Sequence, residues 1–152
     1  MKLKDKFGIK GYVKLVLKDK NGKIKQVVEG HNTITALLDA HVADQMSDSG
    51  DGAIGYMGAG TGSGQTSAST GLATSSANVA LDSTTQGTAG ADNDVVYVAT
   101  FPAGTATAAL TEVGLFVADN NTTLMTYDDF DVINKGAADS LIVTWTISFG
   151  AS

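Results

Sequence analysis

Leu141-Ile142-Val143-Thr144-Trp145-Thr146-Ile147-Ser148-Phe149 decides the fold class of this chain. Leu141, Val143, Trp145, Ile147 and Phe149 share one parity, and Thr144, Thr146 and Ser148 share the other. A period of two marks a strand with one buried face. Working back from it, Val95–Phe101, Leu110–Val117 and Leu124–Tyr127 read as further strands. Turns at Pro102-Ala103-Gly104, Asp119-Asn120-Asn121 and Lys135-Gly136 separate them.

The start of the chain repeats the pattern. Phe7, Ile9, Val13, Leu15 and Leu17 alternate with Lys6, Lys10, Lys14 and Lys18, and Asp19-Lys20-Asn21-Gly22 follows. Asn-Gly favours a two-residue type I′ turn, so a return strand is expected over Lys23–Glu29. Ile34, Leu37, Leu38, His41, Val42, Gln45 and Met46 keep helical spacing, with Asn32 or Thr33 as cap and Ser47–Gly50 as stop. A short strand is read at Ala53–Met57. Residues 58–91 are rich in Gly, Ser, Thr and Ala, broken only by Leu72, Val79 and Leu81, and read as a long exposed surface loop with a short strand around Asn78–Leu81. The expectation is a mainly β protein, an antiparallel β-sandwich or jelly-roll, with an N-terminal β-hairpin and one short α-helix. The division expected is a basic hairpin or arm over 1–31 and a single sandwich domain over 32–152.

The chain has 152 residues, a net charge of −6 and no cysteine, which excludes disulfides, thiolate metal sites and cysteine nucleophiles. No apolar run reaches the ~20 residues of a membrane helix, and no signal-peptide core follows the lysine-rich start, so a soluble protein made in the cytoplasm and without membrane partners is expected. All ten basic residues are lysines. Nine stand in the first 25 residues beside only Asp5 and Asp19, whereas the remainder carries Lys135 against fourteen acids. A basic head on an acidic body suggests pairing between them, within a molecule or between copies. Nucleic acid is not the expected partner, because arginine, the residue of bidentate phosphate and guanine contacts, is absent.

Catalytic patterns fail on spacing. Gly58-Ala59-Gly60-Thr61-Gly62-Ser63-Gly64 has serine or glutamine where G-x-G-x-x-G needs its last glycine, and no Gly-Lys-Ser/Thr follows. His41 lies on the apolar helix face and His31 has no informative neighbour. No G-x-S-x-G elbow occurs. The acid groups Asp48/Asp51, Asp92/Asp94 and Asp128/Asp129/Asp131 do not match the EF-hand loop and read as solvated turns. No catalytic, cofactor-binding or metal residue is assigned, and the chain is read as not an enzyme. Glu112, among apolar neighbours on a strand, must point outward or be hydrogen-bonded when buried. Gly114 marks a bulge or a close backbone approach.

Tyr97-Val98-Ala99-Thr100-Phe101, the Pro102–Gly104 turn and Leu110-Thr111-Glu112-Val113-Gly114-Leu115-Phe116 resemble an "ATF-x-x-G … ITE-x-GLF" pattern of tailed-bacteriophage structural proteins. Thr123-Leu124-Met125, Phe130–Lys135 and Asp139–Ile147 resemble its "LL" strand and its "F-x-x-I-x-K … D-x-L-x-V-x-W-x-I" ending. Asn32–Leu38 and Tyr56–Gly62 are similar to its helix start and "GTG" strand exit. The resemblance covers most of 32–149. The loop after "GTG" departs from it, being long and free of proline, and a basic residue common in the following strand is missing. What it implies is a non-enzymatic virion protein, foremost a capsid decoration (cement) protein partnered by the major capsid protein and by neighbouring copies of itself. A tail-collar, head-fibre or tail-fibre module is the alternative within the virion, and a carbohydrate-binding module a more remote one. The candidate partner interface is the lysine ribbon: Lys6, Lys10, Lys14, Lys18, Lys23 and Lys25.

Overall fold

The computed structural model describes residues 7–48, 50, 52–87 and 93–151. In chain order the elements are β1 (Phe7–Lys18), β2 (Ile24–His31), β3 (Thr33–Ile34), α1 (Ala36–Ser47), β4 (Tyr56–Gly60), β5 (Ser75–Ala80), β6 (Ser83–Gln86), β7 (Asp94–Phe101), β8 (Ala109–Phe116), β9 (Leu124–Asn134) and β10 (Ser140–Ala151). They form two antiparallel five-stranded sheets. The first has the order β2-β1-β10-β7-β6 and the second β3-β9-β8-β4-β5. This is a β-sandwich, as the alternation predicts.

Register explains the core. Across β1, β10 and β7 the rows Val13–Trp145–Tyr97, Leu15–Val143–Ala99 and Leu17–Leu141–Phe101 face the second sheet. All nine side chains are buried, most completely. Leu110, Val113, Leu115, Met57 and Ile133 meet them from the second sheet. Because β1 pairs with β10 from Phe7↔Ala151 to Lys18↔Ser140, the basic hairpin is not an arm beside a body. It supplies the edge strand β2 and the adjoining β1 of the first sheet, and Val13, Leu15 and Leu17 could not be removed without opening the core.

The hairpin turn differs from the two-residue form. Only Gly22 has a positive φ, of 80°, and Asn21 does not. Gly22 N donates to Asp19 O, and Asp19 N donates to Lys23 O, enclosing three residues in the type I turn plus glycine bulge arrangement. Asp19 causes the change: its Oδ1 accepts from Asn21 N and Lys23 N at 2.8 and 3.0 Å. The return strand then bulges. Leu17 pairs with Gln26 and Lys18 with Ile24, which leaves Lys25 as the extra residue.

The segment expected as one long loop with a short strand around Asn78–Leu81 is organised over 58–87, and its last residues, 88–91, lie outside the described residues. Gly58–Gly60 belong to β4, and β5 and β6 are edge strands of the second and first sheets. Residues 61–74 lie over the outer face of the second sheet, where Leu72, Phe116, Leu124 and Tyr127 form a small second core. α1 begins later than its apolar spacing suggests. Its N-cap, Thr35, makes no capping bond; instead its hydroxyl reaches the Leu124 and Met125 carbonyls.

Candidate functional site

Glu112 is fully buried and explains how the cover is held. Its Oε1 accepts from Gly62 N and Thr74 N at 2.9 and 2.8 Å, and its Oε2 accepts from Gln65 Nε2 and Ala73 N at 2.7 and 3.0 Å. Each end of the cover thus docks on one carboxylate. Gly60 and Gly62 leave room for it: a Cβ at Gly60 would stand 2.3 Å from Thr74 O, and one at Gly62 would stand 2.8 Å from Glu112 Oε1. Glycine spacing that superficially suggests phosphate binding is the space into which the chain's own backbone packs.

A second buried polar group stands at the turn between β9 and β10. Lys135 Nζ donates to the Pro102 and Asp139 carbonyls at 2.9 and 2.7 Å, and burial pushes its pKa down, partly offset by Asp139. The Asp139 carboxylate accepts from Lys25 Nζ and Gly136 N, each at 2.8 Å, and these bonds, with Lys25 first, hold its pKa below the usual range. Lys25–Asp139 is the one ion pair among the described residues.

The candidate lysines therefore separate. Lys6 lies outside the described residues. Lys25 is turned aside by its bulge into the Asp139 pair, and Lys23 is exposed at the hairpin turn. Lys10, Lys14 and Lys18 remain as a row on the outer face of β1, interleaved with Tyr12 and Val16. Four residues of strand separate each from the next by about 13 Å, beyond the ~8–10 Å screening length, so the row repels itself little. Tyr12 and the β2 side chains Ile24 and Val27 are exposed alongside. The Tyr12 hydroxyl bonds Glu29, which raises its pKa, and its ring meets His31 edge-on at 6.0 Å.

Next to this face, a cleft of about 390 Å³ opens between β2 and β9, lined by Val28, Glu29, Gly30, Asp128, Asp129, Phe130 and Asp131. Asp128 is only 6% exposed, and its Oδ2 is buried with no hydrogen-bond partner. Burial, then the neighbouring Asp129 charge, raises its pKa to about 6, while His31 opposes the shift. Among the described residues no group of three or more histidines or acids is placed to hold a metal ion. The sequence marks Asp128, Asp129 and Asp131 but gives no sign that β2 brings Glu29 and an apolar wall to them, since that depends on the meeting of two sheets.

One apolar pocket, about 350 Å³, lies between α1 and the first sheet, with Leu38, Val42, Tyr97 and Phe149 among its walls and His41 at its side. Among the described residues no helix is long and apolar enough to cross a membrane. Comparison of the chain with protein-family models, with curated proteins and with solved structures finds no match.

Proposed function

We propose that this chain is a non-enzymatic structural protein of a tailed-bacteriophage virion, a capsid decoration protein that attaches to the major capsid protein through the outer face of its first sheet. The observation that carries the reading is the face itself: Lys10, Lys14 and Lys18 at regular spacing, with Tyr12, Ile24 and Val27 exposed between and beside them. Spaced ammonium groups steer a broad acidic surface into place, and the interleaved apolar groups supply contact area once it arrives. The sequence resemblance supports the same reading.

Purified particles provide the test. A decoration protein is present in hundreds of copies per particle by quantitative mass spectrometry; a handful would assign it instead to a collar or fibre. Changing Lys10, Lys14 and Lys18 together to glutamine is expected to weaken rebinding to stripped particles about tenfold or more at low salt and to flatten its salt dependence. Rebinding that is unchanged across a salt titration would refute the assignment of this face.

A further inference from the structure

We infer that the pocket between α1 and the first sheet binds a small neutral molecule with an apolar body and one hydroxyl end, a phenol or an alcohol, which Tyr97 recognises through its own hydroxyl. The pocket measures about 350 Å³, and Leu38, Val42, Ile54, Val95, Ile147 and Phe149 are its apolar walls. That volume falls within the ~300–1,000 Å³ of small-molecule sites. At the ~30 Å³ that each molecule occupies in liquid water, the pocket holds about a dozen non-hydrogen atoms.

Two polar side chains of the lining make no hydrogen bond within the described structure. Tyr97 is one, although it is only 9% exposed. His41, three residues after Leu38 on the same helix face, is the other. Trp145 Nε1, on the neighbouring strand, is unpartnered and sealed from solvent, whereas Tyr97 Oη is unpartnered but keeps contact with solvent and is open to an incoming group. Burial alone pushes the Tyr97 pKa up, so the hydroxyl keeps its proton and can both donate and accept. A phenylalanine would complete the row Val13–Trp145–Tyr97 without leaving a polar atom short of a partner. A tyrosine at this place is explained by a partner from outside the chain.

The lining also decides the charge of the ligand. It contains no lysine, aspartate or glutamate. A carboxylate brought into it would lose its water without meeting a cation, and an ammonium would lose its water without meeting an anion. The ligand is therefore neutral. Its body packs on the aliphatic walls and the Phe149 ring, its polar end meets Tyr97 Oη, and His41 offers a second polar contact. Met46 belongs to the same lining yet is 85% exposed, which makes it the outer rim. Its unbranched thioether chain can fold over bodies of different shape, so the site selects for a polar end and an apolar bulk more than for one outline.

The inference does not rest on the virion reading, and its test uses the isolated full-length protein. Three probes of similar shape are titrated into it and followed by amide chemical shifts: 4-ethylphenol, ethylbenzene and 4-ethylbenzoate. The phenol is expected to bind saturably with a dissociation constant of about 1 mM or tighter, with the shifts centred on α1, Ala53–Ile54 and the pocket ends of β7 and β10. Ethylbenzene is expected to bind about fivefold more weakly, for want of the hydroxyl, and 4-ethylbenzoate about tenfold or more, for its charge. Tyr97→Phe is expected to bring the phenol within about twofold of ethylbenzene while leaving ethylbenzene binding as in wild type. No saturable shift up to about 10 mM phenol would overturn the inference, and so would shifts centred away from the pocket. Wild type that binds all three probes alike would overturn it too, as would a folded Tyr97→Phe protein that keeps the full preference for the phenol. If that variant does not fold, the three-probe comparison on wild type decides by itself.

Discussion

Replacing Glu112 with alanine is expected to unfasten residues 61–74 from the second sheet. The carboxylate accepts four hydrogen bonds, two at each oxygen, and every one comes from the cover: Gly62 N, Gln65 Nε2, Ala73 N and Thr74 N. A buried donor left without an acceptor costs about 1–3 kcal/mol. The backbone donors are partly accessible once the cover loosens, so the low end applies to each, and four give about 4 kcal/mol. That is a large fraction of the ~5–15 kcal/mol that holds a domain of this size together. Glutamine is the informative companion. It retains one accepting oxygen and places an amide NH₂ where the other stood. If that NH₂ replaces Oε2, Gln65 can rotate its own amide to offer Oε1, which is buried and unpartnered in the native protein. Only Ala73 N is then stranded, for about 1–2 kcal/mol. Urea unfolding followed through Trp145 fluorescence gives both values, and hydrogen exchange of residues 61–74 shows where the loss falls. An alanine variant within about 1 kcal/mol of wild type, with exchange in the cover unchanged, would refute the argument that this carboxylate holds it.

Two further perturbations follow from the same packing. Gly60→Ala would place a methyl 2.3 Å from Thr74 O and 2.6 Å from Glu112 Oε1, so the cover must shift at a cost of about 2 kcal/mol or more, whereas Gly52→Ala, with open space around its position, is the matched control; equal urea midpoints for the two would refute the close approach. Asp128→Asn is expected to stabilise the protein above pH about 6, where the wild-type side chain is ionised against burial and the Asp129 charge. The raised pKa means that folding favours the protonated acid, so wild type gains on the variant as pH falls through about 6 and the gap closes near the ordinary carboxylate value. A two-unit shift corresponds to about 3 kcal/mol, and the open side of the cleft reduces this to about 1–2. Urea midpoints that do not converge with acidification would exclude this origin.

Much of the fold is legible in the sequence because its central strands each bury one face. Leu141–Phe149 alternates so regularly that the row opposite it, Val13–Leu17, can be anticipated as core. Two edges are legible only in part. The short strand read around Asn78–Leu81 meets the end of β5, but its start, Ser75-Ser76-Ala77, and all of β6, Ser-Thr-Thr-Gln, carry no strand signal, because a strand with a neighbour on one side only and much of its surface in water needs few apolar residues. Parity misleads at the hairpin for a related reason. Strict alternation groups Lys25 with the other lysines, but the bulge between Ile24 and Gln26 turns it toward Asp139, a partner 114 residues away. The charge boundary near residue 31 suggests an arm, yet charge reports only the outer face of β1; the inner face, carrying Val13, Leu15 and Leu17, belongs to the core.

The residues behind the sequence resemblance share one physical property. Glu112 fastens the cover, and Gly114 lies where a Cβ would collide with Leu124. Lys135 and Asp139 lock the turn between β9 and β10 to the end of β7 and, through Lys25, to β2. Each is buried and polar, or glycine at a close approach, which makes it expensive in any other arrangement and therefore specific to this one. Such residues encode how the sheets and connections fit together; they make no contact that could choose a partner. Partner choice must lie in groups the fold leaves on its surface, and Lys10, Lys14 and Lys18 along the outer face of β1 are such a row. Lys25 stands at the junction of the two classes. Its substitution would disturb the Asp139 lock as well as the surface charge, so an experiment that removed every lysine of the ribbon at once would confuse loss of binding with loss of a structural bond. Substitutions confined to Lys10, Lys14 and Lys18 separate the two, because those side chains lie on the outer face of β1 and the core-facing residues beside them are untouched.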